Sequence, residues 1–588
     1  MIEANPFGPL ITADNVIFRL WAPSAHRVEL IHGQQAHAMR SSDDGWFKLM
    51  MASAKPGDRY TFRIDGEIEV PDPASRFQPD DVNGPSEVID AAYDWHTVGW
   101  AGRLWHECAF LELHVGTFSP KGTFRGAIEK LDDVVDAGFT AIELMPVADF
   151  SGRWNWGYDG VLPYAPDSAY GRPEDLKALV DAAHVRSLMV FLDVVYNHFG
   201  PEGNYLPRYA PQFFSSVQTP WGNAIDYERP QVRRFAVENA LYWLDDFRFD
   251  GLRLDAVHAI AEPGRSLLLQ EMSESAGLLA QQTARHIHLV LENDANQSSL
   301  LDPLTDPPRG KYRAQWNDDY HHAFHVLLTG ETEGYYADFR EPAPYLARTA
   351  AQGFAYQGQP SPHRNGETRG EPTLALPATA FVNFLQNHDQ IGNRALGERL
   401  TTLAPADALE AALAVMLLSP SPPLLFMGEE WGTRTPFPFF CDFKGDLAKA
   451  VRSGRRQEFA EAYAQHHDEV PDPLCEQTVR KATLDWTERD QPEHRARLDL
   501  VRRLLAARKQ YVIPRLPAIR PGHGRAELVD DVLSAMWFFR TGETLSILAN
   551  LGQQTRPRPY SSKDGEPVWG GTPPQQLPSW SVYATIGA

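Results

Sequence analysis

The sequence predicts an α/β protein in which a (β/α)8 TIM barrel is flanked by an N-terminal β-sandwich and a C-terminal β-sandwich. Three observations lead there. Eight short apolar runs alternate with amphipathic helical segments between residues 101 and 427, four of those runs end in acidic residues, and both ends of the chain switch to period-two alternation.

Residues 1–98 read as the first sandwich. Val16-Ile-Phe-Arg-Leu-Trp21 and Arg59-Tyr-Thr-Phe-Arg-Ile64 alternate apolar with polar, and Gly45, Pro56-Gly57 and Asp65-Gly66 punctuate the strands with turns. The catalytic barrel is predicted over 99–515. Its strand-like runs lie at 109–113, 140–145, 188–194, 249–255, 287–292, 311–316, 380–385 and 423–427, and eight is the number that closes a βα barrel. Of the helices between them, Ile128, Leu131, Val134 and Val135 are predicted to share one face, and Pro173 followed by Glu174 and Asp175 carries helix-start signals. The connection at 197–225, rich in Pro, Gly and aromatics, reads as a loop subdomain over the barrel mouth. A helical extension at 444–511, with Leu498, Val501, Leu504 and Leu505 on one face, completes the wall. Residues 516–588 form the second sandwich, signalled by Asp531-Val-Leu-Ser-Ala-Met-Trp and Thr544-Leu-Ser-Ile-Leu-Ala-Asn.

Bulk properties narrow the function. A formal net charge of −22 over 588 residues excludes nucleic acid and anionic membrane as main partners, since both need a basic surface. A neutral substrate is compatible with it. Three widely spaced cysteines, Cys108, Cys441 and Cys475, suggest neither a disulfide framework nor a metal site. The start, MIEANPFGPL, lacks a basic n-region and an apolar h-region, and no run could span a bilayer, so the chain reads as a cytoplasmic enzyme. No metal site and no cofactor are expected, because no single segment offers a cage of oxygen ligands.

In such barrels the reacting groups sit at the C-terminal strand ends. Strand three ends in Asp193-Val-Val-Tyr-Asn197-His198, strand four in Arg253 and Asp255, strand five in Glu292-Asn-Asp294 and strand seven in Asn387-His388-Asp389. Arg253 and Asp255 are two residues apart and therefore point the same way, so the guanidinium favours the ionised carboxylate. Seen alone, that pair reads better as structural than as catalytic. Several acids converging on one mouth would repel one another unless function required them. They suit glycoside hydrolysis with retention, with Asp255 as nucleophile, Glu292 as proton donor and later base, and Asp389 as the acid that stabilises developing positive charge. The donor must be protonated near neutrality, so the neighbouring charges and limited solvation are predicted to raise its pKa.

Those segments, Asp193-Val-Val-Tyr-Asn-His, Gly251-Leu-Arg-Leu-Asp, Glu292 and Asn387-His-Asp, resemble in this order the four conserved regions of the α-amylase superfamily. The run Phe18-Arg-Leu-Trp-Ala-Pro is similar to the N-terminal module of relatives acting on branched or modified glucans, where it reads as either a glucan-binding or a packing element. The resemblance implies the same three catalytic residues, with Tyr158, His198, Arg253 and His388 lining the site of the glucose being cleaved and Asp193 supporting it.

Glu292-Asn-Asp-Ala-Asn, Gln315-Trp-Asn-Asp-Asp-Tyr-His-His, His388-Asp-Gln-Ile-Gly-Asn-Arg, Trp156-Gly-Tyr-Asp-Gly and Tyr170-Gly-Arg-Pro-Glu-Asp-Leu-Lys are further similar to the maltooligosyltrehalose trehalohydrolases. That resemblance implies maltooligosyl trehalose as substrate, release of trehalose, and functional coupling to a maltooligosyl trehalose-forming enzyme. The acceptor side would then need polar groups left unpaired by a straight maltose. Asn317, Asp318, Asp319 and His321 after strand six, with Gln390 and Asn393 after strand seven, can supply them. The first of these segments also reads as a helix start whose two acids complement the dipole. His258 replaces the lysine common in α-amylases, as part of a different acceptor site or as scaffolding. The rival readings are an α-1,6 debranching or branching enzyme, which products would distinguish, and a non-catalytic glucan-binding protein, which has no use for all three acids.

Overall fold

Eight parallel strands are each fixed by a short, mostly apolar stretch flanked by helix-forming sequence, as expected for strands buried on both faces. The structure, a computed structural model, describes residues 6–306, 310–460, 464, 470–522, 524–559 and 565–587. The strands are β1 (Phe110–Leu113), β2 (Ala141–Leu144), β3 (Met189–Val195), β4 (Gly251–Asp255), β5 (His288–Leu291), β6 (Ala314–Trp316), β7 (Phe381–Val382) and β8 (Leu424–Phe426), paired in sequence order with β1 also beside β8. Between β7 and β8 the ring closes through Asn383, whose N–H donates to the Pro422 carbonyl (3.0 Å) and whose own carbonyl accepts from Leu424 N–H (2.9 Å). β7 is shorter than predicted, and just beyond it Asn383 Oδ1 accepts from Asn317 Nδ2 at 2.8 Å.

The helices that matter below are α1 (Phe124–Ile128), α2 (Leu131–Ala137), α3 (Pro173–Val185), α4 (Pro230–Asp245), α5 (Gly264–Thr283), α6 (Asp318–Thr329), α7 (Ala406–Leu418) and α8 (Pro492–Ala507). The face predicted from Ile128 to Val135 is divided. The chain breaks between α1 and α2, Leu131 and Val134 are buried, and Val135, one residue and so about 100° further round, is exposed. α3 starts as its sequence signals, with Asp175 accepting from the Arg172 N–H at 3.1 Å. α8 buries Leu498, Val501, Leu504 and Leu505 against α2 and α7 and so completes the barrel wall. Residues 461–463 and 465–469 of the predicted extension, like residues 1–5, lie outside the described residues.

The N-terminal part pairs strands in two sheets, with Val16, Phe18 and Leu20 buried and Ile17 and Arg19 half-buried in period-two alternation. It docks on the barrel through aromatic edges, Phe7 on Phe235 (5.0 Å) and Trp21 on Phe213 (5.6 Å). At the other end, Arg525–Val529, Val532–Phe538, Thr544–Asn550, Ser581–Gly587 and Glu566–Trp569 form a five-stranded antiparallel sheet that packs against α7. Within 197–225 a hairpin, Phe214–Thr219 with Gly222–Ile225, carries Trp221 onto the His198 ring (4.8 Å, stacked). The three cysteines are free. No helix among the described residues is long and apolar enough to cross a membrane.

Candidate active site

β4 sets the geometry. Gly251 opens it where a Cβ would lie 2.2 Å from the Phe191 ring and 2.4 Å from the His288 carbonyl, so only glycine allows β3, β4 and β5 to approach this closely. The parallel register then places Arg253 opposite Asp193 on β3. Arg253 Nη1 donates to Asp193 Oδ2 (2.6 Å) and to Asp255 Oδ1 (2.8 Å), while Nη2 lies 3.5 Å from Glu292 Oε2. Its guanidinium also sits over the Trp316 ring, 4.1 Å from the centroid. One buried cation therefore gathers three carboxylates.

Glu292 is aimed by a second contact, the Ala256 N–H at 2.5 Å from Oε2. Ala256 adopts φ 41°, ψ 46°, a left-handed conformation that costs an alanine energy and turns this N–H toward Glu292. Burial pushes Asp255 up to about 8, with the Glu292 and Asp193 charges adding to it and Arg253 opposing.

The opposite wall is aromatic and histidine-rich. Tyr158 donates to Asp193 Oδ2 (2.6 Å) and stacks on His388 at 5.0 Å. His388 donates from Nδ1 to Glu112 on β1, whose second oxygen accepts the His388 backbone N–H (3.2 Å). Burial works to discharge this ring, Glu112 outweighs it, and the His388 pKa is raised. His198 donates from Nε2 to the Tyr158 carbonyl (3.0 Å), and burial drives it down to about 4, which leaves it neutral. Asp389 opens to the cleft and is oriented by Asn393 Nδ2 on Oδ1 (2.7 Å). Gly392 below it admits the Trp156 ring where a Cβ would meet the ring at 1.8 Å.

Residues after β6 divide by depth. Asp318 reaches the mouth, and its one hydrogen bond is from Gln390 Nε2 at 3.5 Å. Asp319 is wholly enclosed and its oxygens are used by Arg369, Asn296 and the Ala355 and Tyr356 N–H groups. Asn317, also buried, is the N-cap of α6 but makes no side-chain cap bond. His321 is buried too, donating from Nδ1 to the Leu385 carbonyl (2.5 Å) and accepting from Tyr336 (2.9 Å), with burial taking it down to about 3. Those three are thus turned into the protein rather than toward the cleft. Gln390 is held by the Asn387 N–H (3.0 Å), and His258 accepts the Asp294 N–H at 3.2 Å.

Sequence reasoning missed Glu112, Trp316, Arg369 and Arg364. The last two, from the segment after α6, clamp Asp294. Glu143 on β2, buried with an unpartnered Oε1, was missed as well. Burial, then Glu112 and Asp193, raises its pKa well above the carboxylate range. An acidic residue inside an apolar run was the available signal for Glu112 and Glu143. Among the described residues no group of three or more His, Cys, Asp or Glu is disposed to hold a metal. A cation-bridged acid pair flanked by a third acid and a wall of aromatic and histidine rings can form and break a glycosidic bond.

Comparison with known proteins shows the family. The alpha amylase catalytic domain model matches residues 74–212, and carbohydrate-binding module 48, the isoamylase N-terminal domain, matches 6–77. A crystal structure from Salmonella typhimurium, provisionally assigned as an alpha amylase, superposes with a TM-score of 0.93 at 45% identity over 99% of both chains. The malto-oligosyltrehalose trehalohydrolase of Mycobacterium tuberculosis is 39% identical over 568 residues, 93% of this chain and 94% of that one. The enzyme of the same name from Deinococcus radiodurans is 43% identical over 554 residues, 93% of this chain and 89% of that one. With that identity over nearly its whole length, and with the acid-lined barrel mouth described above, the chain belongs to the malto-oligosyltrehalose trehalohydrolase family of α-amylase-type glycoside hydrolases.

Proposed function

We propose that the protein hydrolyses, with retention, the α-1,4-glucosidic bond next to the terminal trehalose of a maltooligosyl trehalose, releasing trehalose and a shorter maltooligosaccharide. The observation that carries the chemistry is Arg253 touching both Asp255 and Glu292. Asp255 attacks the anomeric carbon while Glu292 gives its proton to the departing glycosidic oxygen. Asp255 must react ionised, and the Arg253 hydrogen bond to it favours that form against the burial that opposes it. In the second step Glu292 takes a proton from water, whose oxygen attacks the same carbon and frees Asp255. Asp389 stabilises the oxocarbenium-like transition state. Tyr158, His198 and His388 line the glucose whose bond breaks, His258, Gln390 and Asn393 flank it, and Asp193 holds Arg253 and Tyr158 in place.

The substrate implies a preceding reaction that converts the reducing end of a maltooligosaccharide to trehalose, and so a place in trehalose biosynthesis in the cytoplasm. Incubation with maltotriosyl trehalose, and separately with maltopentaose and glycogen, tests the reading. Free trehalose from the first, with little product from the others, is expected. Linear chains from glycogen, or new α-1,6 bonds, would instead identify a debranching or branching enzyme. Asp255→Ala is expected to lower turnover by at least about 1,000-fold while sparing glucan binding.

A further inference from the structure

We propose that Asp318 binds the leaving group, accepting hydroxyl hydrogen bonds from the glucose that departs with the trehalose. This rests on the function proposed above and assigns one residue of the acceptor half of the cleft.

Position comes first. Asp318 is the first residue of α6, which follows β6, the strand next to β5 and Glu292. The leaving oxygen must lie beside its proton donor, so the sugar carrying that oxygen is on the Glu292 side of the site. Tyr158 and His198 instead follow β2 and β3, on the other side of β4. Accessibility separates Asp318 from its neighbours, since Asn317, Asp319 and His321 are each buried at 1% or less, whereas Asp318 is half-buried.

The remaining bonding capacity is the second argument. Asp294 and Asp319 are each ion-paired to Arg369, and Asp294 also to Arg364. Asp318 has no ion pair among the described residues and one long hydrogen bond from Gln390. It faces Glu292, Asp294 and Asp389 instead, and burial together with these charges raises its pKa well above the carboxylate range. Arg369 opposes these charges from beyond ion-pair distance, and a carboxyl kept in such company without a direct cationic partner among the described residues is a cost to the folded state. Sugar hydroxyls can meet its free acceptor capacity without adding charge.

The test is product inhibition of maltotriosyl trehalose hydrolysis. In Asp318→Ala, inhibition by added trehalose is expected to weaken at least about tenfold, while inhibition by maltotriose, a ligand of the opposite half, stays within about twofold. Asp318→Asn, which removes the charge but keeps one acceptor, is expected to fall between the two and to melt at a higher temperature than the unsubstituted enzyme. Unchanged trehalose inhibition in both variants would overturn the proposal, even if the pH profile moved, because Asp318 would then act only through the charge on its neighbours. Equal weakening of both inhibitors, or lower melting temperatures for both variants, would overturn it as well, by assigning Asp318 a structural role. Trehalose release by the unsubstituted enzyme is read separately, so failure of the substrate assignment is distinguishable from failure of this one.

Discussion

At the scale of single residues the site is a problem of charge. Glu112, Asp193, Asp255 and Glu292 lie at one barrel end with Arg253 and His388 as their direct cationic partners. Removing the partner of His388 exposes that balance. Glu112→Gln is expected to destabilise the protein by about 3 kcal/mol, since both side chains are buried. The sign of its pH dependence follows from the raised His388 pKa. A histidine favoured in its charged form contributes its full stability below its ordinary value of 6.5 and loses it as pH rises through the elevated value. The gap between variant and unsubstituted enzyme should therefore be widest below about pH 6 and close on the alkaline side, as thermal melts across pH would show. An alkaline gap would contradict the pairing. The Arg253 and Asp255 juxtaposition was legible in the sequence because two residues of one strand share a face. The Glu112 and His388 pair was not, because its members lie 276 positions apart and no local pattern joins them.

At the scale of elements, the strands were readable because burial on both faces demands continuous apolar runs, and all eight fall within or against the predicted ranges. Side-chain direction after β6 was less readable. Asn317-Asp-Asp-Tyr-His321 offers polar groups at every position, and only the helical turn of α6 decides which enter the cleft. Asp319 turns inward, where Arg369 joins it to Asp294, tying α6 and the end of β5 to the segment that follows α6. Arg369→Met should leave Asp319 buried without its cation and cost about 3–5 kcal/mol. Adding Asp319→Asn to that variant should recover part of the loss, because the uncompensated charge is gone. Denaturation of the two single variants and the double variant measures this coupling, and strict additivity would mean that the pair does not act as a clamp.

At the scale of the whole molecule, the N-terminal sandwich bears directly on the barrel's active end. Val82 is fully buried against Val161, Leu162 and Ala165. On either side of it Asp81 accepts the Gly152 N–H (3.1 Å) and Asn83 accepts the Tyr205 hydroxyl (2.7 Å). Those barrel residues continue directly into Tyr158 and His198, whose own hydrogen bond runs through the Tyr158 carbonyl. Meanwhile Trp21 is buried against Phe213, and Trp46 packs on Phe7, which in turn meets Phe235. Two aromatic side chains of the sandwich, Trp21 and Phe7, are thus used in packing on the barrel. Two consequences can be measured together. Calorimetry of the intact protein should show the sandwich and barrel melting in one transition, since their apolar side chains form one continuous core. Val82→Asp, which buries an unpaired carboxylate at the junction, should cost roughly 3–4 kcal/mol and raise KM more than it lowers kcat, because it loosens the wall of the cleft and leaves Asp255 and Glu292 in place. Two resolved transitions in the intact protein, with unaltered kinetics in the variant, would show instead that the sandwich rides on the barrel without supporting it.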